Sequence, residues 1–407
     1  MNTRKLGSIL NHDLDTVLFA LSGAETTPAE YKKAILHLLD AQPGVLAQNV
    51  GVPDPVNYRS QVATSWDKYV AEVSQVAWPG TSEENARSQS SVMRSLFRAG
   101  TDPLALTIQA CRERRVPVVA SFHMNGEGFY DGQLDTYDFG RAHKHLRIPH
   151  RNCLDPVHPE VYAHRMAIFT EVANEYDIDG IEFDFRRWFF MISEPIRNYP
   201  ILTRMVSETR GMLDEVARLK RTERLLLGVR VGPMLEGRFG REDFPGALQE
   251  APVNQSCEDL GVDVRTWVKE GLVDYLCPSL FWPRWPGLPR TREFVALTQG
   301  TDVGVYPTIF PLPAWLDEGP PLEPEDLEGL LRYKMELCEL VLQLYQEGAD
   351  GISTFNWIPH HQPGMLANPM RENWGVGAIR LQMHIHALLT DRNKLEAYRN
   401  SDVLLPE

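Results

Sequence analysis

Short apolar runs rich in β-branched residues alternate along this chain with longer stretches whose apolar positions recur at helical spacing. The runs are Thr16–Leu21, Gly44–Asn49, Val116–His123, Ile178–Arg186, Leu225–Val231, Val273–Leu280, Val303–Ile309 and Asp350–Asn356. Helical patterns fill most of the intervals. The clearest are Pro159–Tyr176, Pro200–Leu219 and Pro324–Glu347, and Thr27 is placed to cap a helix over Pro28–Asp40. Repeated strand-then-helix units predict parallel strands joined by crossovers. With no break in composition, they predict closure into a (β/α)8 TIM barrel, residues 1–407 forming one catalytic domain; a doubly wound open sheet is the alternative. Two strand-to-helix connections are long. Gly51 to Arg115 follows the second strand and has room for extra helices, and Met124 to His158 follows the third. In a barrel such loops build the active face. The end of the chain, Ile379–Glu407, reads as a closing helix and a polar tail.

Period two along a strand sends successive side chains to opposite faces. In the fourth run Ile181, Phe183 and Phe185 share one face, suited to packing against helices, so Glu182, Asp184 and Arg186 point into the barrel. Charges turned inward are costly unless paired or used. One reading is a buried ion network in which Glu182 answers Arg230; the other is a site. Asp184 stands nearer the mouth than Glu182, and Arg186 is placed to clamp an anionic group or to hold Asp184 as a carboxylate. His123 and Asn125 end the third strand, Arg230 the fifth, and Asn356 and Trp357 the eighth; Tyr306 and Thr308 lie on the seventh. The candidate catalytic set is therefore Asp184, Glu182 and His123. The candidate substrate contacts are Arg186, Asn125, Arg230, Trp188, Trp282, Tyr306, Asn356 and Trp357, with Phe189 and Trp285 among the same aromatics. Flat rings supply the apolar stacking surface that sugar faces match.

Charge narrows the partners. Asp+Glu total 55 against 41 Lys+Arg, a net −14, which opposes binding to nucleic acid or to an anionic membrane. No apolar stretch approaches the ~20 residues of a helical span. The charge balance fits a neutral or locally recognised substrate, such as the carbohydrate that the aromatic rings would match, and leaves room for a local basic pocket for an acidic sugar; the oligomeric state stays open. The five cysteines are scattered without a CxxC pair, which argues against a disulfide framework or a structural zinc. Cytoplasmic residence is the default expectation from this cysteine usage; Met1–Asn11 lacks the apolar core of a secretory signal, and a signal removed ahead of this numbering is the alternative. No Gly-rich phosphate loop, GxSxG elbow or HExxH occurs, so no cofactor is expected. Five histidines cluster between positions 143 and 164, and His143 with His145 forms an HxH; a surface loop is the plainer reading, and no metal is expected.

The run HPEVYAHRMAIFTEVANEYDIDGIEFDFRRW resembles the glycosyl-hydrolase-like family 10 barrels, which carry a similar stretch into their fourth strand. WVKEGLVDYLCPSLFW, GVYPTIF and GADGISTFNW are similar to that group's sixth, seventh and eighth strand segments. The resemblance implies a (β/α)8 barrel acting on a carbohydrate, with Glu182 and Asp184 as the site carboxylates. Against the family 18 chitinase pattern DGxDxDxE, Asp179, Gly180, Glu182 and Asp184 are followed by Arg186 where that family places its acid glutamate. VGVYPTIF lacks the strand-seven glutamate of family 10 xylanases. The expected activity is hydrolysis of a glycosidic bond, with Asp184 a better nucleophile or base than acid. Glu127, Asp131 and Glu236 are reserve carboxyls on the loops. The competing classes are a glycan-binding barrel without catalysis, and a metal-dependent hydrolase or lyase on His123, Asp184 and His143.

Overall fold

The computed structural model describes residues 3–13, 17–18, 21, 26–68, 83–126, 133–186, 190–237, 255–280, 288–310, 313–317, 319–356 and 375–405. Its strands are β1 (Ser8–His12), β2 (Val45–Gly51), β3 (Val118–His123), β4 (Gly180–Asp184), β5 (Leu226–Val231), β6 (Tyr275–Pro278), β7 (Gly304–Val305), β8 (Thr308–Ile309) and β9 (Ile352–Phe355). They form one parallel sheet in the order β7-β6-β5-β4-β3-β2-β1-β9-β8. The two ends of that order meet. Only Tyr306 and Pro307 separate β7 from β8, and proline's missing N–H breaks the ladder there. Tyr306 N–H donates to Leu276 O (2.8 Å) on one side, and Ser353 N–H donates to Pro307 O (3.1 Å) on the other. The two short strands thus act as one, and the sheet closes into a (β/α)8 barrel.

A helix follows each barrel strand: Pro28–Leu39, Pro103–Arg114, Pro159–Glu175, Pro195–Lys220, Val264–Lys269, Thr291–Leu297, Leu327–Gln346 and Gly375–Leu388. Four of these open on proline, whose fixed φ suits the first helical turn. Thr27 caps the first of them as expected, and with Glu30 it forms a capping box. The long connection after β2 holds the extra helix Glu83–Arg98. Beyond the eighth barrel helix lies one more, Arg392–Arg399.

The first strand is a correction. Thr16–Leu21 was expected to form it, but Ser8–His12 does, while Val17 and Leu18 are buried in a helical turn. A short apolar run cannot be told from a buried helical segment by periodicity. The true strand was masked because Asn11 sits among its inward positions.

Three aspartates lock the register at the amino-terminal end of the barrel. Asp179, Asp274 and Asp350 stand just before β4, β6 and β9. Each carboxylate accepts the N–H of a residue on the neighbouring strand: Val118 (2.8 Å), Leu227 (2.7 Å) and Val305 (3.0 Å). The same end of the lumen is filled by Leu6, Ile9, Val45, Val119, Leu226, Tyr275 and Tyr306. This corrects the reading of Tyr306 as a substrate contact. Its hydroxyl donates to Thr3 O (2.7 Å) and accepts from Leu6 N–H (3.0 Å), so it closes the floor rather than facing the mouth.

Candidate active site

Strand β4 alternates as its pattern requires. Phe183 packs against Phe169 (centroids 4.7 Å apart) and Phe185 against Trp267 (5.4 Å), both in the helical shell. Glu182, Asp184 and Arg186 lie on the other face, fully buried in the lumen.

Glu182 is caged at mid-barrel. Asn11 Nδ2 and Ser121 Oγ donate to Oε1, the latter at 3.0 Å, and Tyr275 Oη donates to Oε2 at 3.0 Å. Its donors come from β1, β3 and β6, so the carboxyl ties three strands to β4. Burial, seconded by the charge of Asp184, pushes its pKa up to about 7, against the pull of Ser121, Tyr275 and Arg230. Gly228 makes this possible: a Cβ there would stand 1.9 Å from the Tyr275 ring. Both carboxyl oxygens are therefore engaged below the mouth. Glu182 serves the framework better than a reacting sugar.

Asp184 stands one step nearer the opening. Arg230 Nη1 donates to its Oδ2 (2.7 Å) and the Arg186 backbone N–H to its Oδ1 (2.7 Å). Arg230 also grips Ser279 Oγ through Nε and Nη2 (3.2 and 2.9 Å) and lies over the Phe355 ring at 4.1 Å. Arg186 Nε donates to Ser279 O (2.8 Å). Burial and the neighbouring charge of Arg230 push the Arg186 pKa down to about 9, with Asp184 and Cys257 opposing. Both arginines, read as substrate contacts, hold Asp184 and the end of β6 in place.

His123 completes the rim. Its Nε2 lies 3.0 Å from Asp13 Oδ1 and 3.8 Å from Asp184 Oδ2. Asp13 follows β1 directly and is locked to Asn356: its N–H donates to Asn356 Oδ1 (2.9 Å), and Asn356 Nδ2 donates to its Oδ2 (2.8 Å). Asn356 thus orients a carboxylate. Asn125 is likewise turned inward, donating to Phe190 O and accepting from Arg165 Nη2. It ties the loop after β3 to the helix Pro159–Glu175. Asp13 was missed, although Asn11 and Asp13 follow the apolar start of β1 with the same alternation as Glu182 and Asp184.

Other expected residues do not join this group. His143 Nδ1 contacts Phe139 O (2.9 Å), and its ring stacks on Phe139, which also stacks on His164; it does not share ligands with His123 and Asp184. Glu236 is exposed and pairs with Arg265 (3.5 Å). Trp188, Phe189, Trp282, Trp285, Trp357, Glu127 and Asp131 lie outside the described residues. No described helix is long and apolar enough to cross a membrane.

Asp184, His123 and Asp13 thus lie together at the carboxyl end of the barrel strands, the end at which barrel enzymes hold their active sites. Part of the chain resembles a glycosyl hydrolase. It is 26% identical over 144 residues to glycosyl hydrolase DigH of Escherichia coli K12, which is 33% of this chain and 32% of that protein. The match spans about a third of the curated relative. No protein-family model matches the chain. Among solved structures, α-L-fucosidase isoenzyme 2 from Paenibacillus thiaminolyticus aligns with 97% of this chain and 50% of its own (12% identity, TM-score 0.48). A family GH18 chitinase from Cycas revoluta, solved with allosamidin, aligns with 94% of this chain and 99% of its own (13% identity, TM-score 0.43). Superpositions that loose establish no residue correspondence, so the chemistry rests on the residues of this barrel.

Proposed function

We propose that this barrel hydrolyses an O-glycosidic bond of an oligo- or polysaccharide at the mouth of β4, with Asp184 as nucleophile or base, and that it is a glycosyl-hydrolase-like family 10 member. The observation that carries the reading is Asp184 itself. It is a lumen-facing carboxylate at the end of β4, fixed by Arg230 and the Arg186 N–H and faced by His123. Hydrogen bonds to both oxygens preorganise it as an acceptor, the form a glycosidase needs for attack or for activating water. The partial likeness to DigH supports the same class.

The test is a glycan panel that includes sulfated and uronic polysaccharides, scored for new reducing ends. One glycan class is expected to be cleaved, and Asp184→Asn is expected to lower that turnover by about 10² or more. Undiminished turnover in the variant removes the assignment. The caging of Glu182, the other carboxyl on β4, favours a second reading, a glycan-binding barrel without turnover. Saturable binding of a panel glycan that is never cleaved would establish it.

A further inference from the structure

We propose that the hairpin Leu146–Asp155, in the loop after β3, presents Arg147 and Arg151 as an anion-binding strip beside the barrel mouth, and that the glycan taken here is an acidic polysaccharide bearing carboxylate or sulfate groups. The inference rests on the hydrolase reading and names the substrate class of that same site. Charge points to it first. The chain carries a net −14, yet no Asp or Glu occurs from 139 to 154, and the run from 141 to 151 holds Arg141, Lys144, Arg147 and Arg151 besides three histidines. A negative surface repels polyanions, so an acid-free run of cations is the place to admit one.

The fold holds this run in one orientation. Arg147 and Leu154 pair as an antiparallel bridge; Ile148 N–H donates to Cys153 O (2.8 Å) and Asp155 N–H to Leu146 O (2.9 Å). His150 takes the left-handed position of the turn (φ 61°). Ile148, Cys153 and Leu154 are buried, and Leu154 packs with Leu134, Tyr137 and Val161, whereas Arg147, His150 and Arg151 are exposed. Apolar side chains turned in leave the cations facing out. Two contacts tie the hairpin to the site. Cys153 Sγ donates to the carbonyl of Asn125 (3.5 Å), two residues beyond His123. The Arg151 guanidinium lies over the Phe190 ring (4.0 Å), four residues beyond Arg186. Arg141 pairs with Asp138 and Lys144 with Asp135. Among the described residues, neither Arg147 nor Arg151 has a carboxylate partner. Stacking on Phe190 occupies one face of the Arg151 guanidinium and leaves its N–H edge for the two oxygens of a carboxylate or sulfate.

The test titrates the full chain with three polymers of one neutral backbone: dextran, carboxymethyl dextran and dextran sulfate. At least one charged dextran is expected to bind about tenfold or more tighter than dextran, and the tighter of the two identifies carboxylate or sulfate as the recognised group. Arg147→Gln with Arg151→Gln should weaken that binding about tenfold or more. Arg392→Gln with Lys394→Gln removes the same two charges from exposed positions of the last helix and should change it less than about twofold. Equal losses in the two pairs, no preference for either charged dextran, or tighter binding of polyuridylate than of both, overturns the proposal. Turnover separates it from the reading beneath it. On a panel glycan that the wild type cleaves, the Arg147→Gln, Arg151→Gln pair should lower kcat/KM about tenfold or more, through KM. Cleavage confined to neutral glycans overturns the strip and keeps the hydrolase. A wild type that cleaves nothing, yet binds a charged dextran through these two arginines, fails the hydrolase reading and leaves the strip standing.

Discussion

The hydroxyl of Tyr275 reaches Glu182 Oε2 at 3.0 Å from two strands away, with its ring laid over Gly228. That crossing closes the middle of the lumen and separates the apolar floor from the polar mouth. Gly228→Ala puts a Cβ into a ring whose hydroxyl is held and which is itself fully buried. We expect a loss of about 1–3 kcal/mol, the usual cost of overpacking, measured by urea denaturation. Tyr275→Phe should cost a similar ~1–3 kcal/mol by leaving a buried carboxyl oxygen without its donor. Two variants as stable as wild type would mean that the ring does not brace Glu182.

Glu182 also imposes a pH dependence. Its folded pKa of about 7 lies above the ordinary value of 4.5, so between those values the folded state holds a proton that the unfolded chain releases. Its contribution is therefore fully present below pH 4.5 and is lost as pH rises through about 7. Relative to wild type, Glu182→Gln should gain stability across that window and level off above it. Denaturation midpoints at pH 5, 6, 7 and 8 check this; a constant difference would contradict it.

His386 works in the opposite direction. It is buried between Ala41 O (2.9 Å from Nδ1) and Thr354 Oγ1 (3.1 Å from Nε2), joining the helix Gly375–Leu388 to β9 and to the end of the helix Pro28–Leu39. Burial pushes its pKa down to about 4, against an ordinary 6.5, although the Ala41 hydrogen bond opposes the shift. The stability it contributes is present above pH 6.5 and is lost as pH falls toward about 4. A His386→Gln variant should show a shallower acid loss than wild type, read from thermal midpoints between pH 7 and pH 4.

Asp274 is expected to be the most sensitive of the three register locks. Its Oδ2 accepts from Leu227 N–H (2.7 Å) and Arg210 Nη1 (3.0 Å), and its Oδ1 from Arg224 Nε (3.0 Å). Asp274→Ala strips a partner from the buried Arg210 and from a strand N–H, and we expect a cost of about 3–5 kcal/mol. Asp350→Ala removes the bond to the Val305 N–H and should cost about 1 kcal/mol. Equal losses in the two variants would show that the Arg210 pairing contributes nothing.

Arg230→Lys tests how Asp184 is held. Lysine is a point donor and cannot reproduce a fork that grips Asp184 and Ser279 while lying flat on Phe355. Under the hydrolase reading, turnover should fall by at least about tenfold, or ~1.4 kcal/mol in the barrier, with the fold intact. Steady-state kinetics on the cleaved glycan decide it; unchanged kcat would make the fork dispensable.

Much of this was legible along the chain. Period-two alternation alone places Glu182, Asp184 and Arg186 in the lumen and Phe183 and Phe185 against the helices, because a strand's pleat leaves each side chain one direction. Pro28 and Pro159, and the Thr27 cap, mark helix starts for equally local reasons, whereas the helix read from Pro200 begins more than a turn earlier, at Pro195. What a local pattern cannot state is which charge meets which. Asp13 meets Asn356 across 343 positions of sequence, and Tyr306 turns down to Thr3 across 303; only barrel closure creates those neighbours. The same closure separates Glu182 from Asp184. The two share a face and a chemistry in sequence, but one is enclosed by donors from three other strands and the other meets His123 at the rim. Side-chain direction is a property of a strand, whereas burial, partner and protonation belong to the lumen that all the strands enclose.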